Sequence, residues 1–130
     1  MSTRMECPEE EVEQTCLFRW AAYSLGAHPK LKLLHAIPNG GKRSKSEAAR
    51  MKAAGVKAGV PDMFLPVARG GSHGLYIELK RIKGGRVSAE QLAWMEELTR
   101  EGYTCAVCHG WEEARKVIQT YLKGGEATCD

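Results

Sequence analysis

The chain has 130 residues, 43% of them hydrophobic and 27% charged, the mix of a globular protein long enough to bury one core. Its formal net charge is only +3, too small to favour a DNA-packing protein, and any nucleic-acid binding must depend on where the cations sit. No apolar run approaches the ~20 residues of a membrane span, and the Met1 end lacks a signal-peptide pattern, so one intracellular domain is expected over 1–130, with its core at about 9–122.

Residues 1–8 read as an irregular start. Glu9 to Leu25 reads as a helix, with Val12, Cys16, Arg19, Trp20 and Tyr23 near one side. Glu9, Glu10 and Glu11 crowd its first turn, where the helix dipole favours anions. Gly26 to Lys30 is a turn, and Leu31 to Ile37 reads as a strand, with His35 just before the loop as a core histidine, the favoured reading, or a substrate contact. The sequence Pro38-Asn39-Gly40-Gly41 ends that strand in a loop whose glycines permit a close backbone approach, an ordinary turn or a phosphate contact. Ser44 to Ala54 reads as a helix: Ser44 and Glu47 have capping-box spacing, and Gly55 supplies the stop. Its Arg50 and Lys52 are expected at the surface.

Gly59-Val60-Pro61 leads into a strand from Asp62 to Val67. Ala68 to Gly74 reads as a hairpin loop. Leu75 to Lys80 alternates: Leu75, Ile77 and Leu79 point one way, and Tyr76, Glu78 and Lys80 the other. A basic loop follows from Arg81 to Arg86, then a helix from Ala89 to Glu101 with Leu92, Met95 and Leu98 as its core stripe and Trp94 beside it. Ser88 and Gln91 again have capping-box spacing. Gly102 closes that helix, Tyr103 to Cys108 forms a strand, and Gly110 to Leu122 a last helix with Ala114, Val117, Ile118 and Tyr121 inward. A loose tail is expected over 123–130. The order α-β-α-β-β-α-β-α predicts an α/β fold, a small mixed sheet flanked by helices.

The cysteines, Cys7, Cys16, Cys105, Cys108 and Cys129, are odd in number and scattered, which argues against a disulfide framework. Cys105 and Cys108 form a C-x-x-C inside an apolar strand-like run with no second pair, so buried thiols are expected rather than a zinc site.

The chemistry gathers between Pro61 and Lys80. On one strand face, Glu78 and Lys80 lie about 6–7 Å apart at ~3.3 Å per residue. Folding the hairpin back can bring Asp62 beside Glu78. Two adjacent carboxylates repel and raise each other's pKa, and a divalent cation removes the repulsion. Hard cations such as Mg²⁺ select oxygen ligands, and a lysine beside them can orient a water or steady charge growing on phosphorus. This is a chemistry for phosphodiester hydrolysis. The bland alternative is a surface Glu–Lys pair and an unrelated turn Asp. Two basic runs supply candidate phosphate contacts or simply solvated faces: Lys42, Arg43, Lys45, Arg50, Lys52 and Lys57 against Glu47 alone, then Lys80, Arg81, Lys83 and Arg86.

Pro61-Asp62 followed by Glu78-Leu79-Lys80 resembles the PD-(D/E)xK nuclease superfamily. With Ala36 to Arg43, Gly55 to Asp62, Gly74 to Lys80, Gln91 and Gly102-Tyr103 around that core, the chain resembles the VRR-NUC family, the virus-type replication-repair nuclease domain, over about Glu10 to Leu122. It looks like a stand-alone member such as phages carry. The resemblance implies a restriction-endonuclease-like core and a metal-dependent DNA nuclease. It assigns Glu10, Asp62 and Glu78, with the Leu79 carbonyl, to one or two Mg²⁺ or Mn²⁺ ions, and gives Lys80 the task of positioning or deprotonating the attacking water. Glu10 followed by Gln14 matches the family's first-helix spacing, with Glu13 as the competing carboxylate. Gln91 is either a helix cap alone or a neighbour of Lys80 touching water or substrate. Asn39 falls at the rim of the site, and Lys42, Arg43, Lys52 and Arg81 are the candidate DNA contacts. Stand-alone relatives imply a homodimer acting on branched DNA such as four-way junctions. The other reading is a non-catalytic nucleic-acid-binding module of the same fold.

Overall fold

The computed structural model describes residues 9–39 and 43–124. Helix α1 (Glu10–Tyr23) is followed by a 3-10 turn at Pro29–Leu33, strand β1 (His35–Ala36), helix α2 (Lys45–Ala53), strands β2 (Met63–Leu65) and β3 (Leu75–Lys80), helix α3 (Ala89–Arg100), strand β4 (Thr104–His109) and helix α4 (Trp111–Leu122). The element order and the mixed sheet agree with the sequence reading. The sheet runs β1-β2-β3-β4. The first three strands are antiparallel, β2 and β3 joined by the Ala68–Gly74 hairpin, and β4 lies parallel to β3. A parallel pair cannot be joined by a tight turn, and α3 makes the crossover.

One face of β3 builds the core. Leu75, Ile77 and Leu79 are sealed in a cluster with Leu17 and Ala21 of α1 and Ala114, Val117, Ile118 and Tyr121 of α4. The four α4 positions read as inward from the sequence are all buried. Two polar ties fix that helix: the Tyr121 hydroxyl donates to the Val67 carbonyl at 2.6 Å, and the Arg69 guanidinium donates to the Leu122 carbonyl at 3.2 Å.

Several local expectations are corrected. Leu31 to Ile37 is not one strand. Proline at 29 fixes a helical φ, the 3-10 turn follows, and Leu31 and Leu34, three apart, are the buried pair, so only His35–Ala36 pairs with β2. His35 is exposed rather than in the core, its ring edge-on to Phe64. The strand read from Asp62 to Val67 is paired only over Met63–Leu65. In α1 the buried line is Glu13, Leu17 and Ala21, spaced by four, whereas Val12 and Tyr23, from the side picked out by the sequence, are 53% and 86% exposed. In α3 only Met95 is buried and Leu92 is 53% exposed, because the helix covers one edge of the sheet at β4. Cys105 and Cys108, three residues apart on a strand, fall on opposite faces and cannot share an ion; Cys108 is fully buried, but Cys105 is half-buried, its thiol directed at the Met95 carbonyl. Cys7, Cys129 and the residues at 1–8 and 125–130 lie outside the described residues.

Candidate active site

The second face of β3 carries Glu78 and Lys80. The ladder pairs Met63 with Ile77, so continuing the antiparallel register sets Asp62 opposite Glu78. Asp62 is held at that point by two donors. The Leu79 N–H donates to its Oδ2 at 2.8 Å, and the Asn39 amide donates to its Oδ1 at 3.3 Å. A residue's N–H and C=O leave a strand on the same side, so the Leu79 carbonyl is directed toward the β2 side as well.

Glu78 is 1% exposed and Lys80 6% exposed. The Lys80 ammonium lies 3.3 Å from Glu78 Oε2, and the Gln91 amide donates to the same oxygen at 2.9 Å. Gln91 also closes a capping box with Ser88, so it does both of the things the sequence left open: it starts α3 and it grips Glu78. Two close backbone approaches make this possible. A Cβ on Gly59 (φ +94°) would sit 2.9 Å from both the Glu90 backbone and the Trp94 ring, so glycine lets α3 lie against the segment leading to Asp62. A Cβ on Gly85 would sit 3.0 Å from Lys80 Cβ, so the basic loop folds back over the lysine.

The charges are unbalanced. Burial, then the Asp62 charge, push the Glu78 carboxyl up to about 8, although Lys80 opposes the shift. Burial also raises Asp62, against the pull of the Leu79 N–H. Glu78 Oε1 is buried and has no hydrogen-bond partner. A buried acceptor left alone costs about 1–3 kcal/mol. Two mutually repelling carboxylates, an orphan oxygen and a backbone carbonyl make an all-oxygen donor set, which fits a hard divalent cation.

Of the residues predicted for the site, Asp62, Glu78, Lys80, Gln91 and Asn39 come together. Glu10 does not join them: it stands in the first turn of α1, and among the described residues no three His, Cys, Asp or Glu side chains are gathered closely enough to hold a metal. Gln14, one turn further along α1, lines a cleft of about 670 Å³ with Asn39, Arg43 and Asp62. Arg43 therefore faces the site, Lys52 lies on exposed α2, and Arg81 starts the loop over Lys80, its carbonyl accepting from His109 Nδ1 at 3.1 Å. Lys42 lies outside the described residues. Glu13 has a different task. Gly110, the N-cap of α4, has no side chain to offer, and Glu13 Oε1 accepts the Trp111 N–H at 3.0 Å, placing an anion at the helix's positive end. Its partner is 98 residues away in sequence, so no local pattern announces the contact.

With this geometry in view, the comparisons are direct. The VRR-NUC domain model matches residues 8–112. A solved structure described as a VRR_NUC domain protein is 33% identical to the chain, covers 94% of each chain and superposes with a TM-score of 0.79. No curated protein matches. The chain belongs to the VRR-NUC family, a family of nuclease type.

Proposed function

We propose that the protein is a metal-dependent DNA nuclease that hydrolyses phosphodiester bonds, a structure-selective endonuclease of branched DNA such as four-way junctions in replication, recombination or repair. The observation that carries this reading is Glu78: a fully buried acid beside a second acid, with one oxygen satisfied by Lys80 and Gln91 and the other unpartnered. Asp62, Glu78 and the Leu79 carbonyl would hold Mg²⁺ or Mn²⁺. Such an ion, when bound, neutralises the acids and supplies an activated water and a Lewis acid for the phosphate. Leu79 N–H and Asn39 fix the Asp62 carboxylate. Gln91 fixes Glu78. Lys80 orients the attacking water and steadies charge developing on phosphorus. Asn39, Lys42, Arg43, Lys52 and Arg81 hold the flanking phosphates, and a homodimer would present two such sites to opposed strands.

The test is cleavage of four-way, flap, nicked, single-stranded and plasmid DNA in Mg²⁺ and in Mn²⁺. Ion-dependent cutting, greatest on the four-way junction and absent in Asp62→Ala, is the expected result. Junctions bound but uncut in both ions would instead identify a nucleic-acid-binding module. Analytical ultracentrifugation should give a dimer at the assay concentration.

A further inference from the structure

Helix α2 contrasts with its surroundings. None of its nine residues is buried. It makes no substantial contact with another helix or strand, and none of the ion pairs found among the described residues involves it. Isolated helices shorter than about 12–15 residues are marginal in water, and α2 has only nine. The Ser44 cap, accepting the Glu47 N–H at 3.2 Å, is a small contribution. The expected full capping box is only half formed, because the Glu47 carboxylate accepts from the Ser44 hydroxyl instead of the Ser44 backbone.

The charge says what completes the helix. Over 43–57 stand Arg43, Lys45, Arg50, Lys52 and Lys57 against Glu47 alone. Lys45 and Lys52, seven apart, share a helix face. A second copy would set this patch against itself in a two-fold interface, like charge on like. The segment also brackets the candidate active site: Arg43 lines the cleft that contains Asp62, and Lys52 and Lys57 line a groove with Glu90, the neighbour of Gln91.

We infer that α2 is a docking helix for the sugar–phosphate backbone of the nucleic acid, and that it gains its stability when the substrate occupies the face bearing Asp62 and Glu78. The inference rests on the nuclease reading and adds a named binding element and an order change to it. Contacts to phosphate position the strand without reading sequence.

The experiment uses the full chain in EDTA, so that binding is seen without cutting, with a fluorescein-labelled four-way junction as the probe. Backbone hydrogen exchange over residues 45–53 should slow on DNA addition. The slope of log K against log salt should shrink by about 0.9 for each lost contact in the triple variant Lys45→Gln, Arg50→Gln, Lys52→Gln. Glutamine keeps helix propensity, and Lys116→Gln with Lys123→Gln at α4, which removes two charges away from α2, is the control expected to leave the slope alone. Support requires both readouts. Tight DNA binding with unchanged α2 exchange, or with an unchanged slope in the triple variant, overturns the inference and leaves the nuclease reading standing. Slowing of α2 exchange with protein concentration alone overturns it in favour of a contact between copies. Absence of DNA binding by the wild type overturns the functional reading, and this inference with it.

Discussion

Strand β3 has two faces that are equally dry and chemically opposite. Leu75, Ile77 and Leu79 on one side are 0% exposed, and Glu78 on the other is 1% exposed. On the apolar side, burial is its own justification: removing a leucine from water stabilises by about 1.5–3 kcal/mol. On the polar side, burial is a load. The acid is desolvated, faces a second acid and keeps one oxygen unpartnered. The fold tolerates the second face because the first anchors the same strand. Low exposure alone therefore does not distinguish core from site; a second acid set opposite the buried one does.

The largest way to break the symmetry is to remove the polar face. Asp62→Ala, Glu78→Ala and Lys80→Ala should each lower cleavage by about 10²–10³-fold or more, with circular dichroism unchanged. Gln91→Ala, which frees Glu78 Oε2 from one donor, should lower activity or ion affinity by about 10–100-fold. A folded Lys80→Ala enzyme cutting at the wild-type rate would remove the lysine from the mechanism.

The converse change strikes the apolar face. Leu79→Ala should destabilise by about 2–5 kcal/mol in denaturant unfolding. The Leu79 N–H that holds Asp62 is backbone, so residual activity in the folded fraction should survive better than in any polar-face variant.

The subtlest effect is on pH. In the folded, ion-free protein Glu78 keeps its proton up to about 8, against 4.5 when unfolded. The folded state therefore binds the extra proton between those values. Its contribution is complete below about 4.5 and declines as pH rises toward 8. Thermal unfolding in EDTA should show that decline, and Glu78→Gln should flatten it.

The contrast between the faces also shows what a sequence can carry. The alternation from Leu75 to Lys80 sorts the two faces by itself, because a strand has a period of two and the polarity follows it. The proximity of Asp62 to Glu78 was also legible, since a hairpin register links them by short-range arithmetic. Helix α4 was readable for a similar reason: its apolar residues keep one stripe. Helix α1 was not, because its buried line includes the charged Glu13, whose capping of α4 depends on a residue 98 positions away. The turn at Pro29–Leu33 was misread because LKLLHAI suits a strand by composition, while Pro29 starts a helical turn. Gln91 carried two readings that sequence could not separate, and the close fit of α3 at Gly59 makes them compatible.

The claim beneath all of this is that Asp62 and Glu78 sit together to hold a divalent cation. Isothermal titration of Mn²⁺ into the wild type and into Glu78→Gln at neutral pH tests it most directly. The wild type should bind with proton release, seen as a dependence of the heat on the buffer's ionisation enthalpy, and the folded variant should lose both the binding and the release. Absence of Mn²⁺ binding by the wild type, or equal binding by the variant, would contradict it.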